Sequence, residues 1–430
     1  MASVAPYKIH VPDEKLQQLR HKLDHATFPD ELDASGWDMG VPLDEVKRLV
    51  AIWRDQFDWR IQEARLNHDL KQISVQIAVD GFGNLDMHAV HHKSGNSKAI
   101  PLLFIHGWPG SFLEATKLIP LLTENEGNGP VFDVVAPSLP NFGFSQGVKT
   151  VCFNLQHTIL YLPRSEGVRA STVCRVLVQG GDWGSMIART ISQFYPQHVQ
   201  AIHLNFIPVI PPYPWRSPYQ FCKSLISVPF SAKDRSLIAQ TVGYFTRDNA
   251  YMKQQETRPQ TLGYGLHDSP VGLLAWICDK MHSWSDDYHW TDEEILTWVS
   301  VYYFSTAGPT ASARIYFEAS APKRELGEST MDDGSSKIQT PDLRYMSLEQ
   351  VLGARAPPKV LFAVAQFRKE LIMFPMSWYR SIGNVVQEHE YDSGGHFAAW
   401  EVPNLLAADI KQFLGKAGPA FGIVADRNGY

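Results

Sequence analysis

The chain has 430 residues, a formal net charge of −6 at pH 7 and 44% hydrophobic residues. This length allows one large α/β domain with a cap or two to three small domains, and the apolar fraction suffices for a sizeable core. The mild acidity indicates neither a nucleic-acid partner nor an anionic membrane surface.

The cysteines and apolar runs indicate the compartment. The cysteines lack the spacing of a metal site or a disulfide framework, which predicts reduced thiols in a cytosolic protein. No apolar run approaches the ~18 residues of a membrane span. The first residues also lack the core of a signal peptide. The cysteines are Cys152, Cys174, Cys222 and Cys278.

Two helices are predicted at the N-terminus. The first begins at Val11-Pro12, and its leucines recur at helical spacing. The second begins at Leu43 and runs toward Trp59. We expect residues 1–70 to form an arm that packs on the main domain.

Strands are predicted after the arm. Alternation of apolar and polar residues predicts strands from near Ile73 through Val90. The apolar runs Pro101 to Ile105 and Phe132 to Ala136 predict buried strands. The first of these runs is followed at once by His106-Gly107-Trp108-Pro109-Gly110-Ser111.

The most informative motif follows a third apolar run, residues 173–178. Gly180-Gly181-Asp182-Trp183-Gly184 and the helical sequence after it predict a strand, a sharp turn and a helix. This is the nucleophile-elbow pattern G-x-S-x-G with Asp in place of Ser. A carboxylate there forms an ester with an electrophilic carbon, which suits alkyl electrophiles that open with a leaving oxygen or halide. Taken alone, the motif also fits a glycine-rich loop with an Asp N-cap.

A helical lid is predicted over residues 208–356, beginning at a proline-rich stretch. Ser269-Pro270 is a helix start signal, and Thr291 to Glu294 has the spacing of a capping box. Ala321 to Pro341 is polar and rich in Gly and Ser, which predicts a mobile surface loop. The core is then predicted to consist of residues 71–207 and 357–418.

Two more strands precede titratable residues near the end of the chain. Val360 to Val364 is followed by Glu370, and Val385 to Tyr391 is followed by Gly394-Gly395-His396. With Asp182, these residues give the chain order nucleophile, acid, base that the α/β-hydrolase fold requires. We therefore predict an α/β-hydrolase core with a mostly helical lid and an N-terminal helical arm.

Together the motifs resemble the epoxide hydrolases of the microsomal and juvenile-hormone type, in their soluble fungal form. The resemblance covers nearly the whole chain. The segments that carry it are Trp53 to Arg60 with Leu66-Asn67, His106 to Gly110, Gly180 to Gly184, Thr257 to Pro259, Asp268 to Leu273, and Gly394 to Ala399 with Glu401 and Pro403.

This resemblance implies roles for the residues at matching positions. Asp182 is implied as the nucleophile, His396 as the general base and Glu370 as its acid partner, although Arg368 stands where the family often has proline. The backbone N–H groups of the residues that follow Gly107 and Asp182 are implied as the oxyanion hole. These residues are Trp108 and Trp183.

Two lid tyrosines in this family donate hydrogen bonds to the epoxide oxygen. Tyr251 matches the first and Tyr316 the second, and Tyr244 and Tyr264 are nearby competitors for the first role. The implied reaction converts a small apolar epoxide and water into a diol and needs no metal or cofactor. The sequence leaves open whether the protein forms a homodimer and whether it acts in detoxification or in secondary metabolism.

Two alternatives remain open from the sequence. A haloalkane dehalogenase also uses an elbow Asp followed by Trp. A non-catalytic ligand receptor on the same scaffold is the second alternative. It is kept open by the segment between Ser145 and Val173, where the family usually has an amphipathic helix. In this chain, Pro163 and Gly167 interrupt any long helix there.

Overall fold

A sheet of nine strands forms the centre of the described chain. The computed structural model describes residues 4–79, 81–124, 129–151, 153, 176–215, 217–320 and 348–430. The strand order is β1-β2-β3-β5-β4-β6-β7-β8-β9. The strands are β1 Val4–Pro6, β2 Gln72–Val79, β3 Gly83–His92, β4 Ile100–Ile105, β5 Phe132–Pro137, β6 Val176–Gly180, β7 Val199–Leu204, β8 Leu361–Lys369 and β9 Asn384–Gly395.

The sheet changes from antiparallel to parallel along its width. Strands β1, β2, β3 and β5 pair antiparallel, whereas all neighbours from β5 through β9 pair parallel. All six residues of β4 are buried, because helices cover both faces of a parallel sheet. This explains why the central strands are continuous apolar runs in the sequence.

The chain leaves two neighbouring strands in opposite directions. After β4 it continues to β5 on one side, and after β6 it continues to β7 on the other. A crevice opens where the strand order reverses, at the carboxyl ends of the strands. The loop that begins at His106 and the turn at Asp182 therefore meet at this crevice.

Helices surround the sheet and form the arm and the lid. They are α1 Asp13–Asp24, α2 Leu43–Asp55, α3 Trp59–Asp69, α4 Leu118–Thr123, α5 Asp182–Phe194, α6 Pro218–Phe230, α7 Ala232–Gly243, α8 Ala250–Thr257, α9 Pro259–Asp268, α10 Pro270–Trp284, α11 Asp292–Tyr303, α12 Arg314–Ser320, α13 Leu348–Gly353, α14 Met376–Tyr379, α15 Ala398–Glu401 and α16 Pro403–Leu414. Short 3₁₀ turns occur at Phe112–Ala115 and Ala311–Ala313, and a π-helical turn spans Tyr244–Asp248. None of these described helices has both the length and the apolarity that crossing a bilayer requires.

The arm contacts the lid directly. Helices α1 and α2 pack on α10, and α2 and α3 pack on α11. Lys22 Nζ lies 2.8 Å from Asp268 Oδ1, and Arg48 pairs with Asp292 at 2.7 Å. The predicted second helix ends at Asp55, short of Trp59, where α3 begins. The division into arm, core and lid at the stated residues stays a prediction.

The two helix starts predicted in the lid are confirmed. The Ser269 side chain accepts a hydrogen bond from Gly272 N–H at 2.9 Å, and Thr291 and Glu294 form a complete capping box. The predicted loop at residues 321–341 lies outside the described residues. So do residues 152 and 154–175 of the atypical segment, including Cys152 and Cys174. Cys222 and Cys278 are free thiols.

Candidate active site

Asp182 occupies a strained turn between β6 and α5. It has φ of +43°, which a residue with a side chain rarely adopts and which concentrates at functional sites. The turn is possible because a glycine follows at position 184, where a Cβ would lie 1.9 Å from the Ile105 carbonyl oxygen. The Asp182 side chain is 14% exposed. It sits at the N-terminus of α5, where the helix dipole favours a carboxylate.

The loop after β4 holds one oxygen of this carboxylate. Trp108 N–H donates to Asp182 Oδ1 at 2.7 Å. His106 supports the loop, since its Nε2 accepts Leu139 N–H at 3.2 Å. Burial lowers the pKa of His106 to about 4, which leaves the imidazole neutral and able to accept. The predicted hydrogen-bond donor at Trp108 is therefore aimed at the predicted nucleophile.

Trp183, the other predicted oxyanion donor, is the second residue of α5. The first four N–H groups of a helix have no intrahelical partner, and they carry the positive end of its dipole. The Trp183 N–H is therefore free of the helix ladder beside the Asp182 carboxylate. Its role in an oxyanion hole stays a prediction.

Lid helix α11 fixes the loop from the other side. Trp298 Nε1 donates to the Pro109 carbonyl at 2.6 Å, and the Tyr302 hydroxyl donates to the Gly110 carbonyl at 2.6 Å. Both side chains are buried. The loop that presents Trp108 N–H is thus held by the lid as well as by the sheet.

His396 lies between the two predicted carboxylates. Its Nδ1 is 2.6 Å from Glu370 Oε1, and its Nε2 is 3.5 Å from Asp182 Oδ2. Glu370 follows β8, and its Oε1 also accepts Leu371 N–H at 2.8 Å. The structure therefore brings together the three residues that the chain order indicated, although Arg368 replaces the usual proline.

The charges of Glu370 and Asp182 shift the pKa of the His396 imidazole. Burial by itself lowers the pKa of an imidazole, but the Glu370 and Asp182 carboxylates raise the pKa of His396 well above its usual value. An opposite charge within hydrogen-bond distance favours the ionised form. The two carboxylates therefore stabilise the charged form of the imidazole.

The lid also fixes the loop that carries His396. His396 N–H donates to the Trp284 carbonyl at 2.9 Å. The Glu401 carboxylate accepts Asp286 N–H at 2.7 Å and Phe397 N–H at 2.9 Å. Burial raises the pKa of Glu401 to about 7, while these two N–H groups act in the opposite direction. Glu401 thus joins the end of α10 to the loop that carries His396.

Tyr251 and Tyr316 lie together and pack on Trp108 and Trp183. Their ring centroids are 5.9 Å apart; Trp108 stacks on Tyr251 at 5.2 Å, and Trp183 meets Tyr316 edge-on at 4.9 Å. Burial, followed by nearby groups that include the Asp182 charge, raises the pKa of both phenols well above the usual value. Both hydroxyls are therefore protonated donors at neutral pH.

The two competing tyrosines occupy very different places. Tyr264 is 71% exposed on α9, away from the buried cluster. The hydroxyl of Tyr244 is 2.7 Å from that of Tyr251, and Tyr244 is only 7% exposed. Tyr244 is therefore a member of the site in addition to Tyr251.

Sequence reasoning missed two further residues at the site. The Trp284 ring lies 5.0 Å from the rings of both His396 and Tyr251, and no motif in the sequence marks this residue. Glu114 lies against Gly110, and burial raises its pKa to about 8, with a smaller contribution from the Asp182 charge. Its only sequence signal was its spacing from Ser111, which is also that of an ordinary capping box.

Comparison with known proteins gives family matches over most of the chain. Residues 4–115 match the epoxide hydrolase N terminus, and residues 100–403 match the alpha/beta hydrolase fold. Epoxide hydrolase 1 of Sus scrofa is 32% identical over 445 residues, which cover 96% of this chain and 89% of the relative. Juvenile hormone epoxide hydrolase 1 of Ctenocephalides felis is 31% identical, covering 95% of this chain and 85% of the relative. The structure of Aspergillus niger epoxide hydrolase is 28% identical with a TM-score of 0.76, and 96% of each chain is covered.

Proposed function

This chain belongs to the epoxide hydrolases of the α/β-hydrolase fold, and on that premise we propose that it opens its epoxide through an ester on Asp182. The observation that carries this proposal is the elbow carboxylate 3.5 Å from His396 Nε2, with Glu370 on the other imidazole nitrogen at 2.6 Å. A nucleophile, a base and a group that orients the base are the parts that covalent hydrolysis needs.

Ring opening is the first half of the proposed reaction. Asp182 attacks a ring carbon, the carbon–oxygen bond of the epoxide breaks, and negative charge develops on the leaving oxygen. Tyr251 and Tyr316 donate to that oxygen and supply its proton. Fixed donors in a site that excludes water stabilise such charge strongly.

Ester formation changes the charge around His396. The Asp182 carboxylate becomes neutral, which removes one of the two charges that raise the pKa of His396. The imidazolium then releases its proton more readily, and this proton balances the one that the tyrosines gave to the alkoxide. His396 becomes a general base at the stage at which one is needed.

Hydrolysis is the second half. His396 takes a proton from water, and the resulting hydroxide attacks the ester carbonyl of Asp182. The oxyanion that forms is held by the N–H groups of Trp108 and Trp183. Collapse of this intermediate releases the vicinal diol and returns the carboxylate and the imidazolium.

The surroundings of Asp182 support a small apolar epoxide as the substrate. Aromatic rings dominate the space beside the carboxylate, which favours apolar ligands with a few convergent polar groups. The paired phenols support an epoxide over the halide of a dehalogenase, because an alkoxide needs a proton and a halide does not. The complete set of nucleophile, base and acid supports turnover over a receptor role. The rings belong to Trp108, Trp183, Tyr251, Trp284 and Tyr316.

A single turnover in isotopically labelled water tests this mechanism. With enzyme in excess, the first diol should carry no labelled oxygen, because its new oxygen comes from Asp182. The label should appear in Asp182, by mass spectrometry of the peptide that contains it. In a separate reaction with epoxide in excess, diol from later turnovers should carry the label, which serves as the control. Label in the first diol would mean direct attack by water and would contradict the proposal.

A further inference from the structure

The hydroxyl groups of Tyr244 and Tyr251 form a buried pair. They lie 2.7 Å apart, and the two residues are 7% and 5% exposed. Tyr244 begins the π-helical turn Tyr244–Asp248, which lies directly after α7, and Tyr251 is in the first turn of α8. Single π turns are rare and are frequent at functional sites. The turn places a second phenol behind the one that is expected to meet the epoxide.

A phenol hydroxyl has one proton to give. If Tyr251 donates to Tyr244, its proton is not available to the epoxide oxygen. If Tyr244 donates to Tyr251, the Tyr251 proton points instead toward its other hydroxyl neighbour, Tyr316, or toward a bound epoxide oxygen, and the accepted hydrogen bond strengthens Tyr251 as a donor. Burial raises the pKa of Tyr244 and keeps it protonated, whereas the hydrogen bond between the two hydroxyls lowers the pKa of Tyr244 and raises that of Tyr251, as when Tyr251 donates before an epoxide binds. Only the arrangement in which Tyr244 donates to Tyr251 leaves the Tyr251 proton for the epoxide oxygen during ring opening.

A cation lies on the face of the Tyr251 ring. Lys280 Nζ is 5.1 Å from the Tyr251 ring centroid, and its side chain is 13% exposed. Asp279 pairs with Lys280 and offsets part of its charge. A cation over an aromatic face is attracted to the ring, more strongly when it is desolvated. The Lys280 ammonium therefore stabilises negative charge on the Tyr251 ring, which develops when the Tyr251 proton moves to the epoxide oxygen.

We propose that Tyr244 is a positioning residue for ring opening, because its hydroxyl donates to Tyr251 once the epoxide is bound and directs the Tyr251 proton toward the epoxide oxygen. This inference rests on the proposed function, in which Tyr251 is a donor to that oxygen. When the epoxide opens, the Tyr251 oxygen gains negative charge as its proton leaves. The hydrogen bond from Tyr244 then strengthens, since bonds to charged groups are stronger than neutral ones.

The test compares the two half-reactions of Tyr244→Phe with those of the parent. Ring opening, followed as covalent adduct formed in a single turnover, should slow by about tenfold to a hundredfold, the range for a lost hydrogen bond to a charged group. Hydrolysis of the preformed ester should keep its rate, because the hydroxyl of Tyr244 does not act in that step. Tyr264→Phe is the matched control, and it should leave both rates unchanged because Tyr264 is 71% exposed.

A double variant separates a role through Tyr251 from a general structural role. Once Tyr251→Phe has removed the acceptor, adding Tyr244→Phe should not slow ring opening further. A further loss in the double variant, or a parental rate in Tyr244→Phe alone, would overturn the inference. Full ring-opening activity in Tyr251→Phe would instead overturn the donor role in the proposed function.

A second substitution keeps the test independent of folding. A fluorinated tyrosine incorporated at position 244 retains the shape of the side chain and makes its hydroxyl a stronger donor. Ring opening should become faster at neutral pH, and its rate should fall at a lower alkaline pH than in the parent. A pH profile identical to that of the parent would overturn the inference even if Tyr244→Phe does not fold.

Discussion

Gly107→Ala tests how tightly the site fixes Asp182, the proposed nucleophile. A Cβ at position 107 would lie 2.0 Å from Asp182 Oδ1 and 2.4 Å from Asp182 Cβ, whereas ordinary contacts begin at 3.4 Å. Gly107 does not have a positive φ, so alanine causes no backbone strain of its own. The loop and the carboxylate must therefore move apart by about 1.4 Å, the difference between the ordinary and the observed contact to Oδ1.

This displacement is large compared with the geometry of the reaction. It is enough to break the 2.7 Å hydrogen bond from Trp108 N–H to Asp182. A misplacement of about 1 Å can cost about a hundredfold in rate, which corresponds to about 2.7 kcal/mol of barrier. We expect kcat/KM of Gly107→Ala to fall at least about a hundredfold, with most of the loss in ring opening.

The assay follows covalent adduct formation in a single turnover by intact mass. Gly265→Ala is the matched control, because a Cβ there meets nothing within 4 Å. That variant should keep the parental rate and gain up to about 1 kcal/mol of stability from its better helix propensity. If folded Gly107→Ala forms the adduct at the parental rate, the contact between this loop and Asp182 does not fix the position of the Asp182 carboxylate.

Three further predictions concern the titratable residues. His396→Gln should consume about one equivalent of epoxide per site and stop as an ester on Asp182; an unmodified mass after long exposure would show that His396 is needed earlier. Glu370→Gln should slow ester hydrolysis more than ring opening, because the imidazole loses its orientation and charge support. The covalent adduct should therefore accumulate during turnover, and the absence of such accumulation would contradict the prediction. Glu114→Gln should remove a pH dependence of stability. Because the folded pKa is raised from 4.5 to about 8, the folded state binds the extra proton, and the unfolding free energy of the parent should fall relative to the variant as pH rises through this window. Urea unfolding across that pH range measures the difference, and parallel curves would contradict the prediction.

The parts predicted from the sequence are those with local signals. The elbow at Asp182 needs glycines on both sides, and the lid helices carry their own caps at Ser269 and Thr291. The order of Asp182, Glu370 and His396 along the chain is dictated by the strands that precede them. Each of these signals lies within a few residues of the feature that it predicts.

The parts that were not predicted depend on packing between distant segments. The π turn that brings Tyr244 to Tyr251 has no pattern in the sequence that distinguishes it from a continuous helix. Glu114 has the spacing of a cap, and only its burial beside Asp182 marks it as a member of the site. Glu401 was recognised as part of a motif, but its bond to Asp286 N–H joins segments 115 residues apart.

The packing of the arm on the lid has a consequence for redesign of the enzyme. Trp53 and Trp59 of the arm contact Tyr303 and Phe304 at the end of α11. The exposed ion pairs across this junction contribute little, so the apolar contacts hold it together. A lid transplanted from a relative to change substrate range would lose these contacts unless the matching arm came with it. The arm and the lid should therefore be exchanged as one unit, although the chain separates them by the whole first half of the core.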